Sequence, residues 1–221
     1  KKPELFEISD GVSSDLQKFT RWAKKEYGDD VFRPDITVLD AGCGNGRNLL
    51  WMNDEFRVKG FGYDISEEAI NQAKARASKQ KWGSKLTFIT HSIGATIPLP
   101  DESVDVVLDM MASHFLKEIE RERYIKELYR VLKPQGVLFF KSFYGKGNKH
   151  AQDLIKNESA GEHNAYIHPK MKVYEYVWTD ETLHDAFGEQ FILQHKELSH
   201  QHNIRGKPNK RRSITCYYEK R

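Results

Sequence analysis

The chain has 221 residues, 38% hydrophobic and 30% charged, which is ample for a self-sufficient core and excludes disordered, fibrous and disulfide-stapled classes. Its two cysteines, Cys43 and Cys216, are too few for a Cys-rich zinc site, and no apolar run approaches the ~18–20 residues of a membrane-spanning helix. The formal net charge is +3, yet residues 205–221 alone carry seven Lys or Arg against one Glu, so the rest of the chain is mildly acidic and the basic end can attract an anionic substrate or a nucleic acid.

The chain opens on Lys-Lys-Pro-Glu-Leu-Phe-Glu, without an apolar secretory stretch, which makes cytoplasm the expected compartment. Up to residue 35 the spacing of Leu16, Phe19, Trp22 and Ala23 predicts a helical flap. Short runs rich in Val, Ile, Leu and Phe then predict strands at 36–40, 58–63, 86–91, 104–109 and 137–143, with the composition of strands buried on both faces. Between them, Ser66 caps a helix with Glu67 and Glu68 in its first turn and Ile70, Ala73 and Ala77 along its inner face. A second helix over 120–132 places Ile125, Leu128 and Leu132 on one stripe and stops at Lys133-Pro134-Gln135-Gly136. Strand and helix alternating in this way imply a parallel sheet with helices on both faces.

Residues 144–178 read as a substrate cap, in which Tyr144, Tyr166, Tyr174, Tyr176 and Trp178 suit a dry pocket and Gly145-Lys-Gly-Asn-Lys-His150 suits a lid hinge. The equal alternative is a connecting loop whose aromatics pack on the sheet, with Tyr176 and Trp178 assigned to packing before the next helix. Thr179 caps a further helix whose inner stripe is Leu183, Ala186 and Phe187. Two last strands, 190–199 and 212–219, flank Arg205-Gly-Lys-Pro-Asn-Lys210, which has hairpin-loop chemistry. If the first of them runs with the parallel sheet, the basic tip lies at the sheet's C-terminal edge, where open α/β sheets bind ligands.

The most informative stretch is Val-Leu-Asp-Ala-Gly-Cys-Gly-Asn-Gly-Arg at 38–47. A buried strand ends in Asp40, and glycines at 42, 44 and 46 allow positive φ and close approach of backbone N–H groups to a ligand. The spacing is not the G-x-G-x-x-G of a dinucleotide site, and the Gly-Lys-Ser/Thr of a phosphate-cradling loop is absent. Asp64 closes the next strand, where a carboxylate can accept both hydroxyls of a ribose. The alternative is that Asp40 and Asp64 merely cap the following turns.

With Gly-Tyr-Asp-Ile-Ser at 62–66, Leu-Pro-Asp-Glu-Ser-Val-Asp-Val-Val-Leu-Asp at 99–109 and Leu-Tyr-Arg-Val-Leu-Lys-Pro-Gln-Gly-Val-Leu at 128–138, this stretch resembles the class I S-adenosylmethionine-dependent methyltransferases. The resemblance runs from about 36 to 143 and, less specifically, through the last two strands. It implies a Rossmann-like, doubly wound, mostly parallel seven-stranded sheet with an antiparallel C-terminal hairpin strand, in a single domain. Within that domain, 1–35 is the flap, 36–143 the cofactor-binding core, 144–178 the cap, and 179–221 the last helix and hairpin. The implied cofactor is S-adenosyl-L-methionine, with S-adenosyl-L-homocysteine as product. By the resemblance, Asp40 and Gly42, Cys43, Gly44, Asn45 and Gly46 hold its methionine part, Asp64 its ribose and Ile65 its adenine. Asp109 and Met110 lie nearest the sulfonium. Where many relatives carry an Asp for the adenine amino group, this chain has His91-Ser92-Ile93, which leaves Ser92 and Ile93 as the expected contacts.

Methyl transfer from a sulfonium needs alignment and exclusion of water more than acid–base help. His114, just after the fourth strand, is the candidate base or orienting group. Each histidine alone has a bland reading as a packing residue. Tyr144, His150, Tyr166, His168, His200, His202, Arg205 and Arg211 are the candidate substrate contacts, the last four belonging to a donor-rich rim with Lys207, Lys210 and Arg212. His200-Gln-His202 offers two imidazoles on one strand face but no third ligand, so no metal is expected. The functional expectation is methyl transfer to N or O of a small, anionic molecule, with no membrane partner. The first alternative is an RNA, DNA or protein methyltransferase gripping its substrate with the basic hairpin, disfavoured because the Asn/Asp-Pro-Pro-Tyr motif of exocyclic amine methylation is missing. The second is a non-catalytic cofactor-binding partner or sensor.

Overall fold

The computed structural model describes residues 11–199, 202–204, 207–209 and 211–221. The first helix, α1 (Ser14–Tyr27), starts where the Ser13 hydroxyl accepts the Asp15 N–H at 3.3 Å, and its Leu16, Phe19 and Ala23 are buried. Then follow β1 (Thr37–Ala41), α2 (Arg47–Phe56), β2 (Lys59–Asp64), α3 (Glu67–Ala77), β3 (Leu86–Thr90), β4 (Val104–Met110), α4 (Glu118–Val131) and β5 (Leu132–Phe143). Ser66 caps α3 as expected, accepting the Ala69 N–H at 3.2 Å. The segment after β5 carries α5 (Lys149–Asn157), β6 (Ala165–Ile167) and β7 (Tyr174–Tyr176). The chain closes with α6 (Asp180–Phe187), β8 (Phe191–Ser199), β9 (His202–Ile204), β10 (Lys207–Asn209) and β11 (Ser213–Lys220).

The main sheet has the order β3-β2-β1-β4-β5-β11-β8, parallel throughout except that β11 is antiparallel to both neighbours. Because β8 in turn is antiparallel to β11, it runs with the parallel strands. The end of β8 at Ser199 therefore lies at the C-terminal edge, while the basic tip expected beyond it falls largely outside the described residues. Successive side chains of a strand point to opposite faces, so each strand feeds two cores. Leu138 and Phe140 of β5 pack with α4, α6 and Trp178, while Val137 and Phe139 pack with α1, α2 and α3. Phe19 of α1 stacks on Phe139 at 5.1 Å, which fixes the flap against the sheet.

Two elements depart from expectation. The helix ends at Val131, just before the exit predicted at Lys133–Gly136, but that segment runs straight into β5 and forms no separate turn, with Gln135 at φ 64° and an irregular register against β4. Both oxygens of Asp105 hold the Lys133 ammonium at 2.8 Å, and residues 133–136 bulge out between the Val104–Leu132 and Val106–Val137 pairs. The cap carries a helix and a hairpin, where sequence had shown only aromatics and glycines. Among the described residues no helix is long and apolar enough to cross a membrane.

Candidate active site

The strand order reverses between β1 and β4, which is where open α/β sheets form a ligand crevice. The loop after β1 enters it with Gly42, Gly44 and Gly46 at φ 78°, 54° and 76°. A Cβ on Gly42 would stand 2.3 Å from the Ala112 Cβ, and one on Gly46 would stand 2.9 Å from the Phe88 ring. Larger side chains are thus excluded by both conformation and space. The Gly42 and Cys43 N–H groups donate to the Tyr63 carbonyl at 2.8 and 2.9 Å, pinning the loop to the end of β2. Asp64 accepts the Gly44 N–H on one oxygen and the Ser66 N–H on the other, each at 2.9 Å. Each oxygen keeps a lone pair for a ligand hydroxyl.

The crevice is acidic at its floor. Asp40 is 2% exposed, and its Oδ2 has no hydrogen-bond partner. Burial, reinforced by the neighbouring Asp64 carboxylate, pushes its carboxyl up to about 7. Asp109, fully buried at the end of β4, is pushed up to about 6 by burial, against the pull of the Ala112 and Ser113 N–H groups that donate to its Oδ1 at 3.2 Å. An acid held protonated in the fold but ionised in the unfolded chain loses stability as pH rises between those two values. Asp40→Asn is therefore expected to match the parent near pH 4 and to melt progressively above it up to pH 7, in the absence of ligand. Parallel melting curves for the two proteins would discard the buried-acid assignment. A cation bound beside Asp40 removes the same penalty.

Among the other predicted residues, Ile65 is 77% exposed at the crevice rim, an unusual position for a large aliphatic side chain. The Ser92 hydroxyl accepts the Gly94 N–H at 3.2 Å and caps its own turn, with Ile93 buried behind it. Met110 receives the Asn48 amide on its sulfur at 3.4 Å, and Asn48 in turn accepts the Ser13 N–H at 3.1 Å. Asn45 accepts the Arg47 N–H at 3.3 Å. His114 is 2% exposed in a 3-10 turn after β4, with its ring 4.7 Å from that of Phe143 in edge contact. The Met111 backbone beside it has φ 69°, a left-handed conformation that non-glycine residues adopt at a cost.

The expected substrate contacts separate into inner and outer groups. Tyr144 is buried with its hydroxyl donating to Asp180 at 2.8 Å, and the buried Tyr166 hydroxyl donates to Glu175. Arg211 does not stand on a rim. It is 8% exposed, pairs with Glu175 at 3.0 Å and lies 4.7 Å over the Phe143 ring. Pairing between Tyr166 and Glu175 across β6 and β7 aims the acid inward, where only a cation can stabilise it. His168 accepts the Met171 N–H at 3.1 Å on Nδ1 and organises the β6–β7 turn, and His150 is exposed on α5. His202 lies on β9, and His200 and Arg205 fall outside the described residues.

Sequence reasoning missed Asn48, Lys141 and Glu175. Lys141 is buried near the end of β5 and salt-bridged to Asp15 of α1, so the flap is tied to the crevice by an ion pair as well as by Phe19. A lone Lys in the apolar run 137–143 was the available signal for it.

Residues 38–136 match the model of a family described as a methyltransferase domain. A tRNA N(3)-methylcytidine methyltransferase of Schizosaccharomyces pombe is 28% identical over 189 residues, covering 78% of this chain and 58% of that protein. A 27-O-demethylrifamycin SV methyltransferase of Amycolatopsis mediterranei is 33% identical over 106 residues, covering 48% of this chain and 38% of that protein. The chain thus spans well under two thirds of the length of these curated relatives. A solved S-adenosylmethionine-dependent methyltransferase of Methanosarcina mazei has the same fold, with a TM-score of 0.73 at 21% identity over 86% of this chain and 95% of that one.

Proposed function

We propose that the chain is a class I S-adenosylmethionine-dependent methyltransferase, that it methylates a nitrogen or oxygen of an anionic acceptor, and that this acceptor is RNA. The observation that carries the cofactor is the unpartnered Oδ2 of Asp40 in an acidic crevice roofed by glycines. The sulfonium and amino groups of S-adenosylmethionine are cationic, and Asp40, Asp64 and Asp109 offer them carboxylates while the glycine loop admits a close backbone approach. The residues present fit that group. Once bound, it supplies an already activated methyl, leaving the protein to align the acceptor and exclude water.

In this reading Asp40 and the 42–46 loop hold the methionine part, and Asp64 accepts the ribose hydroxyls on its two free lone pairs. Ile65 covers the adenine, whose edge meets Ser92 and Ile93. Asp109 and Met110 flank the methyl. His114, enclosed between the end of β4 and Phe143, orients the acceptor or takes its proton.

The acceptor is decided outside the cofactor core. The match to the rifamycin-type enzyme is no longer than that core, whereas the match to the tRNA enzyme necessarily extends well beyond 38–136. A small anionic metabolite is the second reading. It is favoured by the enclosure of His114, although an enclosed site also receives a base turned out of its stack. Incubation with methyl-labelled cofactor, total tRNA and an RNA-free metabolite extract separates the two. The expected result is nuclease-sensitive label at a rate that falls steeply with salt. Label confined to small molecules overturns the RNA acceptor and selects the second reading. His114→Ala is expected to lower turnover by roughly 10²-fold with cofactor affinity unchanged; full activity removes His114 from the mechanism.

A further inference from the structure

We propose that the open edge of β3, with the last turn of α3, is a docking groove for the backbone of RNA, some distance from the methyl-transfer crevice. This inference rests on the RNA acceptor argued above and adds the surface that holds the body of the molecule.

From residue 69 to residue 100 the chain has five Lys or Arg and no Asp or Glu. Such a run is unusual in a protein whose body is otherwise acidic. The fold gathers these cations. β3 is the edge strand of the main sheet, so one side of its backbone is unpaired within it. A groove of about 620 Å³ lies against β3, lined by Lys74, Ser78, Gln80, Lys81, Ser84 and Thr87 among others. Lys74 and Lys81 are exposed, and among the described residues neither they nor Lys79, Lys85, Lys59 or Arg57 enter a salt bridge. Trp82 adjoins the groove with the cationic groups of Lys81, Arg57 and Lys85 at 4.8, 5.3 and 5.8 Å from its ring.

Lysines beside serine and threonine hydroxyls are the chemistry of phosphate contact, and the cations held over the Trp82 ring add to the positive field there. One atom favours RNA over other polyanions. Gln80 lines the groove with its Oε1 buried and without a hydrogen-bond partner, so a turn of the amide towards the groove offers an acceptor that lacks a donor. A ribose 2′-hydroxyl supplies that donor, while a DNA sugar or a diacyl phospholipid phosphate does not. The placement also fits. α3 begins beside Asp64 at the crevice and carries Lys74 to its far end, about 12–15 Å along a helix of this length. A bound RNA can therefore lie along the β3 edge while its reacting nucleotide enters over the C-terminal ends of the strands.

The test is binding of fluorescein-labelled total tRNA by the full chain, at several salt concentrations and without methyl transfer. The Lys74→Glu/Lys81→Glu variant is expected to lose at least tenfold in affinity at ~100 mM salt, and its salt slope is expected to shrink by about 1.5, the value for two lost phosphate contacts. Gln80→Leu is expected to narrow the preference for an RNA hairpin over the DNA hairpin of the same sequence. Melting temperature and cofactor titration show that each variant is folded, and Lys74→Ala/Lys81→Ala serves if charge reversal disturbs α3. Unchanged affinity and slope overturn the groove. So does binding to vesicles rich in phosphatidylserine without binding to tRNA. Asp64→Ala, which disables the proposed cofactor site, should retain tRNA binding, so failure of the methylation reading and failure of the groove are told apart.

Discussion

Asp64→Ala is expected to weaken S-adenosylmethionine binding about 30–150-fold, as follows from losing charge-assisted hydrogen bonds of roughly 2–3 kcal/mol. Two effects combine. The proposed ribose acceptor disappears, and the Gly44 N–H loses the oxygen that holds it at 2.9 Å. That N–H belongs to the loop proposed to hold the methionine part, so the damage should spread from one end of the ligand to the other. Asp64→Asn separates the contributions. It keeps a carbonyl oxygen for one backbone anchor but lacks the second acceptor and the charge, and it should fall between wild type and Ala. The carboxylate is half-buried and its backbone partners lie in turns, so thermal stability should change little beside the affinity. Calorimetry that returns wild-type affinity for Asp64→Ala would remove the ribose role, and with it the cofactor placement built on the glycine loop.

The parts legible in the sequence are those governed by local rules. Asp40, the three glycines and Asp64 could be placed because a buried strand must end before a loop needing positive φ, and apart from the early start of β5 the strands of the main sheet appear within a residue or so of where their apolar runs put them. Ser66 and Thr179 cap their helices because a side-chain oxygen three residues before a free N–H satisfies a local demand. The helix α2 was silent for the opposite reason. It starts at Gly46 with no side-chain cap and buries the polar Asn48 and Asn53, so neither a start signal nor a clean apolar stripe marks it. The cap left two readings open in the sequence, recognition and packing. Tyr144, Tyr166 and Arg211 read as ligand contacts because aromatics and cations near a site suggest recognition, yet their partners, Asp180 and Glu175, lie 36, 9 and 36 residues away along the chain. Only the pairing of β6 with β7 and the return of the chain before β11 bring those groups together. Partnership over such separations has no periodicity to read.

The cluster that joins Arg211, Glu175 and Tyr166 should be the most sensitive point of the cap. Arg211→Ala leaves Glu175, 1% exposed, as a buried acid without its counter-charge, a change that costs about 3–5 kcal/mol. At ~2–4 °C per kcal/mol for a chain of this size, the melting temperature should fall by roughly 6–20 °C. Removing an exposed pair such as Arg33–Asp35 should hardly move it, since solvent screens such pairs almost completely. Replacing both partners, as in Arg211→Met/Glu175→Leu, should recover most of the loss, because an apolar pair needs no desolvation of charge. The Tyr166 hydroxyl would then lack its acceptor, so recovery should be complete only with Tyr166→Phe added. Activity should not follow stability back. Arg211 lies over one ring, Phe143, whose edge contact holds His114, and the stacked guanidinium fixes that ring in a way that a flexible methionine does not. A triple variant that melts like wild type but transfers methyl groups more slowly, with cofactor affinity intact, would locate the role of the buried pair in aiming His114. A triple variant restored in both respects would reduce the pair to a structural device of the cap.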